Sequence, residues 1–161
     1  MEGKYRRMIT IWTDGACSKN GKEGAHGGYG VVVVQDDKII DAHQSSCEET
    51  TNNREEMKAI LWALHEYGAG PYAFEVPVVY SDSTYCVNTF NIWMYSWRRN
   101  GWFKSDNKKP ENLDLIQDYY LCDKQIDLRH IKGHAGHKYN EIADKLATGR
   151  LSVEDVLNDG N

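Results

Sequence analysis

Residues 50–68, TTNNREEMKAILWALHEYG, mark the point at which a run of strands gives way to helices. The stretch has the pattern of a capped amphipathic helix, with Thr51 or Asn52 as the N-cap and Gly68 as the C-terminal stop. Its apolar residues recur at helical spacing and define one face that must pack on a core. The elements on either side of this helix therefore decide the fold.

The segments before the helix have the pattern of strands. Residues 8–12 alternate, are rich in β-forming residues and lead directly into TDGA. The glycine-rich stretch 18–30 is interpreted as a loop. GYGVVVVQ and KIIDAH then predict two strands joined by a tight turn at Asp36 and Asp37. This order predicts a three-stranded antiparallel meander.

Helices and strands alternate in the rest of the chain. FEVPVVYSDS predicts a strand that ends at Asp82, and a helix follows over about 83–93. NLDLIQDYYLCDKQ predicts a helix, IDLRHIKGH a strand and YNEIADKLATG a last helix. Such an order indicates an α/β or α+β fold in which helices cover a mixed sheet. We expect a single domain over 1–150 and an acidic tail with little to bury over 151–161.

Composition and charge limit the classes of function. The 161 residues are 40% hydrophobic and 27% charged, and the formal net charge of −5 argues against non-specific coating of nucleic acid. The sequence has no apolar run as long as a membrane span and no signal peptide, so we expect no membrane partner. Its four cysteines are widely spaced, unlike those of a zinc site or a disulfide scaffold, which indicates a cytoplasmic protein.

A basic and aromatic segment follows the predicted helix over 83–93. Trp93 and Trp97 are four residues apart and should stack on one helix face. We expect at least two of the three tryptophans, Trp102 included, to anchor the segment on the body of the protein. The basic side chains should then face outward; they are Arg98, Arg99, Lys104, Lys108 and Lys109, against one acid, Asp106.

Two adjacent glutamates stand in the first turn of the helix at 50–68. At about 100° per residue, Glu55 points almost opposite the apolar face, together with Trp62 and Glu66. Glu56 lies about a quarter turn from the centre of that face, where a carboxylate can be half buried. Acids in a first turn also favour the helix dipole without any chemical role. The helix alone leaves the role of Glu56 open.

Three further acids, Asp14, Asp82 and Asp144, stand in the first strand or at the ends of elements. Asp14 in TDGA also suits a turn and Asp82 in YSDS a helix cap, while periodicity does not favour Asp144 over Glu141. If these acids converge with Glu56, mutual repulsion raises some of their pKa values unless a cation is present. Their hard oxygen ligands suit Mg²⁺ or Mn²⁺. Spacing along the chain does not by itself establish convergence.

Four ordered motifs resemble those of type-1 ribonuclease H. They are TDGA after a strand, TTNNREEM at a helix start, YSDS at a strand end and IKGHAGHKYNEIADKLA near the C-terminus, across about residues 8–149. The resemblance implies a ribonuclease H-like fold with a five-stranded mixed sheet, three strands antiparallel and the others parallel. It implies an endonuclease, here expected to be monomeric, that hydrolyses the RNA strand of RNA–DNA hybrids and leaves 5′-phosphate and 3′-hydroxyl ends.

The resemblance also implies roles for individual residues. Because the acid of the family stands two residues after the Arg of TNNR, it selects Glu56 rather than Glu55. It implies that His134 assists proton transfer or product departure, and that Asp14, Glu56, Asp82 and Asp144 bind two Mg²⁺ or Mn²⁺ ions. The implied substrate contacts are Asn20, Thr51 and Asn52 on a phosphate of the DNA strand, Asn53 and Thr84 near the RNA, and Trp93, Arg98, Arg99 and Lys104 in a basic protrusion.

Alternatives and departures from the family pattern remain. A zinc site at His130, His134 and His137 is disfavoured, because neither Cys nor acid falls at a convincing ligand spacing. Another nuclease or transposase of the same fold, or a hybrid-binding module without catalysis, is a rival function. The glycine-rich loop is long and lacks prolines, and LRHIKGH lacks a tryptophan found in many bacterial relatives. We expect a free-standing enzyme rather than a reverse-transcriptase fragment.

Overall fold

The computed structural model describes residues 8–133 and 135–159, which form five strands and six α-helices. The strands are β1 (Thr10–Ser18), β2 (His26–Gln35), β3 (Lys38–Glu48), β4 (Val78–Ser81) and β5 (Asp127–His130). The helices are α1 (Asn52–Tyr67), α2 (Thr84–Asn88), α3 (Met94–Arg99), α4 (Leu113–Leu121), α5 (Lys138–Ala147) and α6 (Val153–Asp159), with a π-helical turn (Thr89–Trp93) joining α2 to α3. Within the described ranges, none of these helices combines the length and hydrophobicity needed to cross a bilayer.

The strands form one mixed sheet in the order β3-β2-β1-β4-β5. The pairs β1–β2 and β2–β3 are antiparallel, whereas β4 runs parallel to both β1 and β5. The predicted fold class and meander are therefore confirmed. The turn between β2 and β3 places Asp36 and Asp37 at φ of 56° and 60°, as expected for a tight two-residue hairpin.

The sheet has a hydrophobic cluster on each face. Val31 and Val33 face the cluster that α1 covers, and Val32 packs in the opposite cluster with Ala143 and Leu146 of α5. Because consecutive strand residues point to opposite faces, a run of four valines is buried on both sides. The central strands are thus held between two layers of helices.

The glycine-rich loop predicted over 18–30 is wrong at both ends, and residues 19–25 alone lie between the two strands. β1 continues to Ser18 and β2 begins at His26, so Asp14 pairs with Gly30 in the middle of the sheet. A Cβ built on Gly30 would lie only 2.4 Å from the carbonyl oxygen of Ala143 in α5. Gly30 therefore allows α5 to pack closely on β2. The local sequence pattern does not distinguish such a glycine from one in a loop.

The predicted bounds of α1 are confirmed, whereas the strand predicted from Phe74 begins only at Val78. Thr51 is the N-cap of α1, and its side chain accepts a hydrogen bond from the Arg54 amide, while Gly68 is the C-cap. The strand β4 starts directly after Pro77, which cannot donate to a ladder. The helix predicted to end near Trp93 instead continues through the π-helical turn into α3.

The segment after α5 buries more than predicted. Val156 of α6 is 4% exposed and packs in the cluster shared with α5 and β3. The Gln44 side chain donates to the carbonyl oxygens of Leu146 and Leu151 and accepts from the Val153 amide. The expectation of a tail with little to bury is wrong, because β3 supplies both an apolar contact and a polar clamp. The domain boundary near residue 150 stays a prediction.

The aromatic anchor of the basic segment is confirmed. Trp97 and Trp102 pack against the core cluster, and the ring centroids of Trp93 and Trp97 are 6.2 Å apart. Trp102 meets Tyr120 of α4 edge-on at 5.4 Å, and the Arg98 guanidinium lies 5.7 Å from the same Tyr120 ring. The packed tryptophans thus hold a segment whose charged side chains are mostly exposed.

Candidate active site

The parallel pairing of β1 and β4 brings two of the predicted acids together. Trp12 of β1 is the register partner of Tyr80 of β4. Asp14 and Asp82 each follow two residues later, and residues two apart point to the same face of a sheet, so the two side chains lie on the same face. Asp14 is 5% exposed, and its Oδ1 accepts from the Gly15 amide at 3.0 Å. The sheet topology therefore places a buried carboxylate beside a partly buried one.

The N-terminal part of α1 brings the third acid to the same place. A Cβ on Gly15 would lie 2.4 Å from the Glu56 amide nitrogen, so only glycine lets α1 rest directly on β1. Glu56 is 6% exposed, and the Ser81 hydroxyl lies 3.5 Å from its Oε2. One carboxylate oxygen from each of Asp14, Glu56 and Asp82 lies within 4.8 Å of the other two. Three acids that are far apart in sequence thus converge.

Burial and mutual repulsion perturb the acids of this cluster. Burial raises the pKa of Asp14 to about 7, and the charges of Asp82 and Asp144 add to the rise, although a hydrogen bond with Glu56 opposes it. Burial also raises the pKa of Glu56 well above its usual range, together with the hydrogen bond and charge of Asp14. Without a cation, the cluster therefore retains a proton near neutral pH.

The fourth acid lies at the edge of the cluster. After burial, Asp144 of α5 is among the neighbours that raise the pKa of Asp14, and the Asp144 side chain is 23% exposed. It also forms a salt bridge with Arg150. Its helix buries Asn140 and Ala143, so Asp144 flanks the buried arc while Glu141 is exposed. Helical periodicity did not favour Asp144 over Glu141 as the acid of the site, whereas the packing of α5 favours Asp144.

The orientation predicted for Glu55 is wrong. Its side chain is fully buried, and Oε2 accepts from the Thr50 hydroxyl and pairs with Lys58 Nζ, each at 2.6 Å. A Cβ on Gly27 would lie 3.2 Å from Glu55 Cγ. The long strand β2 therefore covers the face of α1 that helical periodicity predicted to be exposed to solvent. Oε1 is buried and has no hydrogen-bond partner among residues 8–133 and 135–159. Glu55 belongs to a polar network beneath the site and is absent from the three-acid cluster.

The loop after β5 approaches the cluster closely. A Cβ on Gly133 would lie 2.7 Å from Asp82 Oδ2. The next residue, His134, lies outside the described residues, so its predicted role stays a prediction. Thr84 Oγ1 and His130 Nε2 are 3.1 Å apart, which ties the start of α2 to the end of β5. The ring of His137 lies 5.9 Å from that of Trp12.

The predicted phosphate-binding residues form a second cluster beside the acids. Asn20 Oδ1 accepts from the Asn52 amide at 2.7 Å, and Thr51 caps the same helix start. The Asn53 carbonyl accepts from the Cys86 thiol at 3.8 Å. Since Glu56 follows in the next turn of α1, the N-terminal part of this helix supplies both free amide groups and an acid of the cluster.

The residues present fit a divalent metal site. Among residues 8–133 and 135–159, Asp14, Glu56 and Asp82 are the one group of three or more possible ligands gathered closely enough to hold an ion. In the same described ranges, no salt bridge reaches any of these three acids. Hard, buried and uncompensated carboxylates suit Mg²⁺ or Mn²⁺ better than zinc. A zinc site at the histidines gains no support from His130, which contacts Thr84.

Several site residues were not predicted from sequence. Gly15 and Gly133 allow close backbone approach, Ser81 lies beside Glu56, and Arg150 contacts Asp144. TDGA and KGHAGH contain the two glycines, so the motif positions could have signalled them. Arg150 follows the last predicted helix and carries no local signal, because only the turn after α5 brings it back toward Asp144.

Comparisons with known proteins agree with this geometry. The family model described as RNase H matches residues 6–152. A Ribonuclease H of Caldanaerobacter subterraneus subsp. tengcongensis is 38% identical over 151 residues, covering 89% of this chain and 91% of the relative. A Ribonuclease H of Paracoccus denitrificans is 40% identical over 150 residues, covering 89% and 92%. The crystal structure of LC9-RNase H1, described as a type 1 RNase H with the type 2 active-site motif, superposes with a TM-score of 0.74 at 30% identity, covering 90% of this chain and 72% of that one.

Proposed function

This chain is an enzyme that belongs to the ribonuclease H family, and on that premise we propose that it hydrolyses the RNA strand of RNA–DNA hybrids by two-metal-ion catalysis. The products are RNA ends with a 5′-phosphate and a 3′-hydroxyl. The observation that carries the proposal is the convergence of Asp14, Glu56 and Asp82 within 4.8 Å, with Asp144 beside Asp14. Four acids without a catalytic role would destabilise one another for no gain.

Asp14, Glu56, Asp82 and Asp144 would hold two Mg²⁺ or Mn²⁺ ions. When bound, such ions supply an activated water and neutralise the charge that develops on the phosphate and the leaving oxygen. The chain itself keeps the ligand oxygens in place before any ion arrives. The Gly15 amide orients Asp14, the Ser81 hydroxyl lies against Glu56, and the strand register fixes Asp82. Such preorganisation lowers the cost of assembling the site during the reaction.

His134 is proposed to move a proton during water activation or product departure. A neutral imidazole titrating near pH 6.5 is suited to that task. Gly133 supports the assignment, because the chain passes close to Asp82 immediately before His134. Replacement of His134 by alanine should therefore slow cleavage without preventing hybrid binding.

Hybrid recognition is proposed to begin at the start of α1. Asn20, Thr51 and Asn52 would hold a phosphate of the DNA strand, and Asn53 and Thr84 would lie near the RNA. Support comes from the Asn20–Asn52 contact and from the helix N-terminus, whose free amides favour anions. RNA is distinguished by its 2′-hydroxyls in a shallow minor groove, which amide and hydroxyl groups can reach.

The basic segment is proposed to act as a protrusion on the DNA side of the hybrid. Trp93 is 39% exposed and Lys104 is partly exposed, while Arg98 and Arg99 at the end of α3 are exposed. Contacts from these side chains to phosphates would position the duplex without reading its sequence.

The enzyme is proposed to act as a cytoplasmic monomer. All of the acids in the site come from elements of one chain, so catalysis needs no second copy. The four cysteines are free, which suits a reducing compartment.

Cleavage of labelled substrates tests the proposal. The hybrid should be cut with Mg²⁺ or Mn²⁺, and duplex DNA and duplex RNA should remain intact. Asp14→Asn should reduce cleavage to background while hybrid affinity changes little. Asp127→Asn, which removes an exposed acid of β5, is the matched control and should cut normally. Full activity of Asp14→Asn, or equal cutting of duplex RNA, would overturn the proposal.

A further inference from the structure

One acid of the site has a protein counter-cation. The Arg150 guanidinium contacts Asp144 Oδ2, and its Nε donates to the Thr148 hydroxyl at 2.8 Å. The Arg150 amide donates to the carbonyl oxygen of Lys145 at 2.8 Å, and the Thr148 hydroxyl donates back to the Asp144 carbonyl at 3.1 Å. The turn after α5 therefore holds the guanidinium against the carboxylate through side-chain and backbone contacts.

The other acids of the site differ sharply in this respect. Within the described residues, Asp14, Glu56 and Asp82 make no salt bridge, although burial, together with the neighbouring acids, raises the pKa of Asp14 and of Glu56. The site thus has one part that lacks a cation and one part that already contains one.

We propose that Arg150 is a positioning residue that occupies the place of the second divalent ion at Asp144 and sets the affinity of the empty enzyme for that ion. The inference rests on the proposed two-ion function. The first ion would bind at Asp14, Glu56 and Asp82, where nothing competes. A second ion at Asp144 would compete with the guanidinium for that carboxylate.

The displacement is physically reasonable because the Arg150 side chain is 57% exposed and can move into solvent. A guanidinium also binds phosphate oxygens through paired hydrogen bonds, so a hybrid backbone offers it an alternative partner. Binding of substrate would then free Asp144 at the moment when phosphate oxygens arrive to complete the second ion site. Loading of the second ion would be coupled to substrate through a residue outside the acid cluster.

Counting bound Mn²⁺ by electron paramagnetic resonance in the substrate-free protein tests the inference. Wild-type protein should bind one ion and, at higher concentration, a weaker second. Arg150→Gln should tighten the second ion about tenfold, as expected for removing a unit charge a few ångströms from a dication in water. Thr148→Val keeps the charge but removes the hydrogen bond to Nε, and should tighten the second ion less. Arg129→Gln removes the same charge from an exposed Arg–Asp pair on β5 and should change neither affinity by more than about twofold.

The outcomes separate this inference from the proposed function. Equal second-ion affinity in wild type and Arg150→Gln, or an equal gain in Arg129→Gln, would overturn the role of Arg150. If Asp14→Asn still binds Mn²⁺ as the wild type does and cleaves hybrids, the proposed function itself fails. Loss of both in Asp14→Asn with no effect of Arg150→Gln refutes the inference alone. Thermal unfolding of each variant verifies that it is folded.

Discussion

Replacement of Glu55 by glutamine should lower the free energy of unfolding by about 1 to 3 kcal/mol while leaving catalysis nearly intact. The Glu55 side chain is fully buried, and one of its oxygens receives both the Thr50 hydroxyl and the Lys58 ammonium at 2.6 Å. Glutamine retains the shape and one acceptor oxygen but loses the charge. The cost is at the lower end for a broken buried pair because the Lys58 side chain is 26% exposed and can turn to water.

Urea or thermal unfolding measures this change directly. For a domain of this size, each kcal/mol should lower the melting temperature by about 2 to 4 °C. Glu66→Gln is the matched control, because Glu66 is an exposed glutamate on the same helix and its replacement should change stability by less than about 0.5 kcal/mol. Stability of Glu55→Gln equal to that of this control would refute the assigned burial and pairing.

A double-mutant cycle identifies the pair responsible. The cycle consists of Glu55→Met, Lys58→Met and the double variant, and the double variant, which removes both charges, should be at least as stable as Glu55→Met. The neighbouring variant Glu56→Gln should behave in the opposite way. It should lose cleavage, yet it should stabilise the metal-free protein at neutral pH, because the pKa of Glu56 is raised well above its usual range. Equal activities of Glu55→Gln and Glu56→Gln would contradict the separation of these two roles.

Three further predictions concern pH, packing and salt. Without divalent ions, stability should fall as pH rises from about 4 to about 7, because the pKa of Asp14 is raised to about 7 and the unfolded chain loses this proton first. Urea unfolding across that range should show a smaller fall in Asp14→Asn and in protein saturated with Mg²⁺; a fall of unchanged size in both would contradict the pKa assignment. Gly15→Ala should lose activity and several kcal/mol of stability, because its Cβ would lie 2.4 Å from the Glu56 amide nitrogen, and retention of wild-type melting and cleavage would contradict this packing. Arg98→Ala with Arg99→Ala should weaken hybrid binding and reduce the slope of log affinity against log salt by up to about 2, and an unchanged slope would remove these side chains from the interface.

Local patterns predicted the order of elements well. Three strands, a capped helix and then alternating elements were sufficient to predict the mixed sheet, because alternation, caps and turn residues act over a few neighbours. Thr51 and Gly68 bound α1 as predicted, and Asp36 with Asp37 form the predicted turn.

Long-range packing explains the failures. Residues 26–30 contain glycines because helices rest on that strand, which a single-sequence pattern cannot distinguish from a flexible loop. Glu55 is buried because β2 covers the face of α1 that helical periodicity predicts to be exposed to solvent. Val156 is buried because α6 packs on Ile39 and Ala42 of β3 and on Leu146 of α5, a contact that the acidic sequence of the tail did not indicate.

The ordered motifs predicted the residues of the site better than the periodicity and chemistry of the individual residues did. Periodicity placed Glu56 at the rim of the core but did not favour Asp144 over Glu141. The parallel register that aligns Asp14 with Asp82 is a tertiary property, and only the fold shows that the acids meet. Arg150 escaped prediction for the same reason.

Anomalous diffraction from Mn²⁺, in crystals with a hybrid whose RNA strand carries non-hydrolysable linkages, would measure directly whether the four acids hold two ions. Two manganese peaks are expected at Asp14, Glu56, Asp82 and Asp144, with Arg150 moved away from Asp144. Peaks at the histidines, a single ion with Asp144 still paired to Arg150, or no ion at these carboxylates would contradict this expectation.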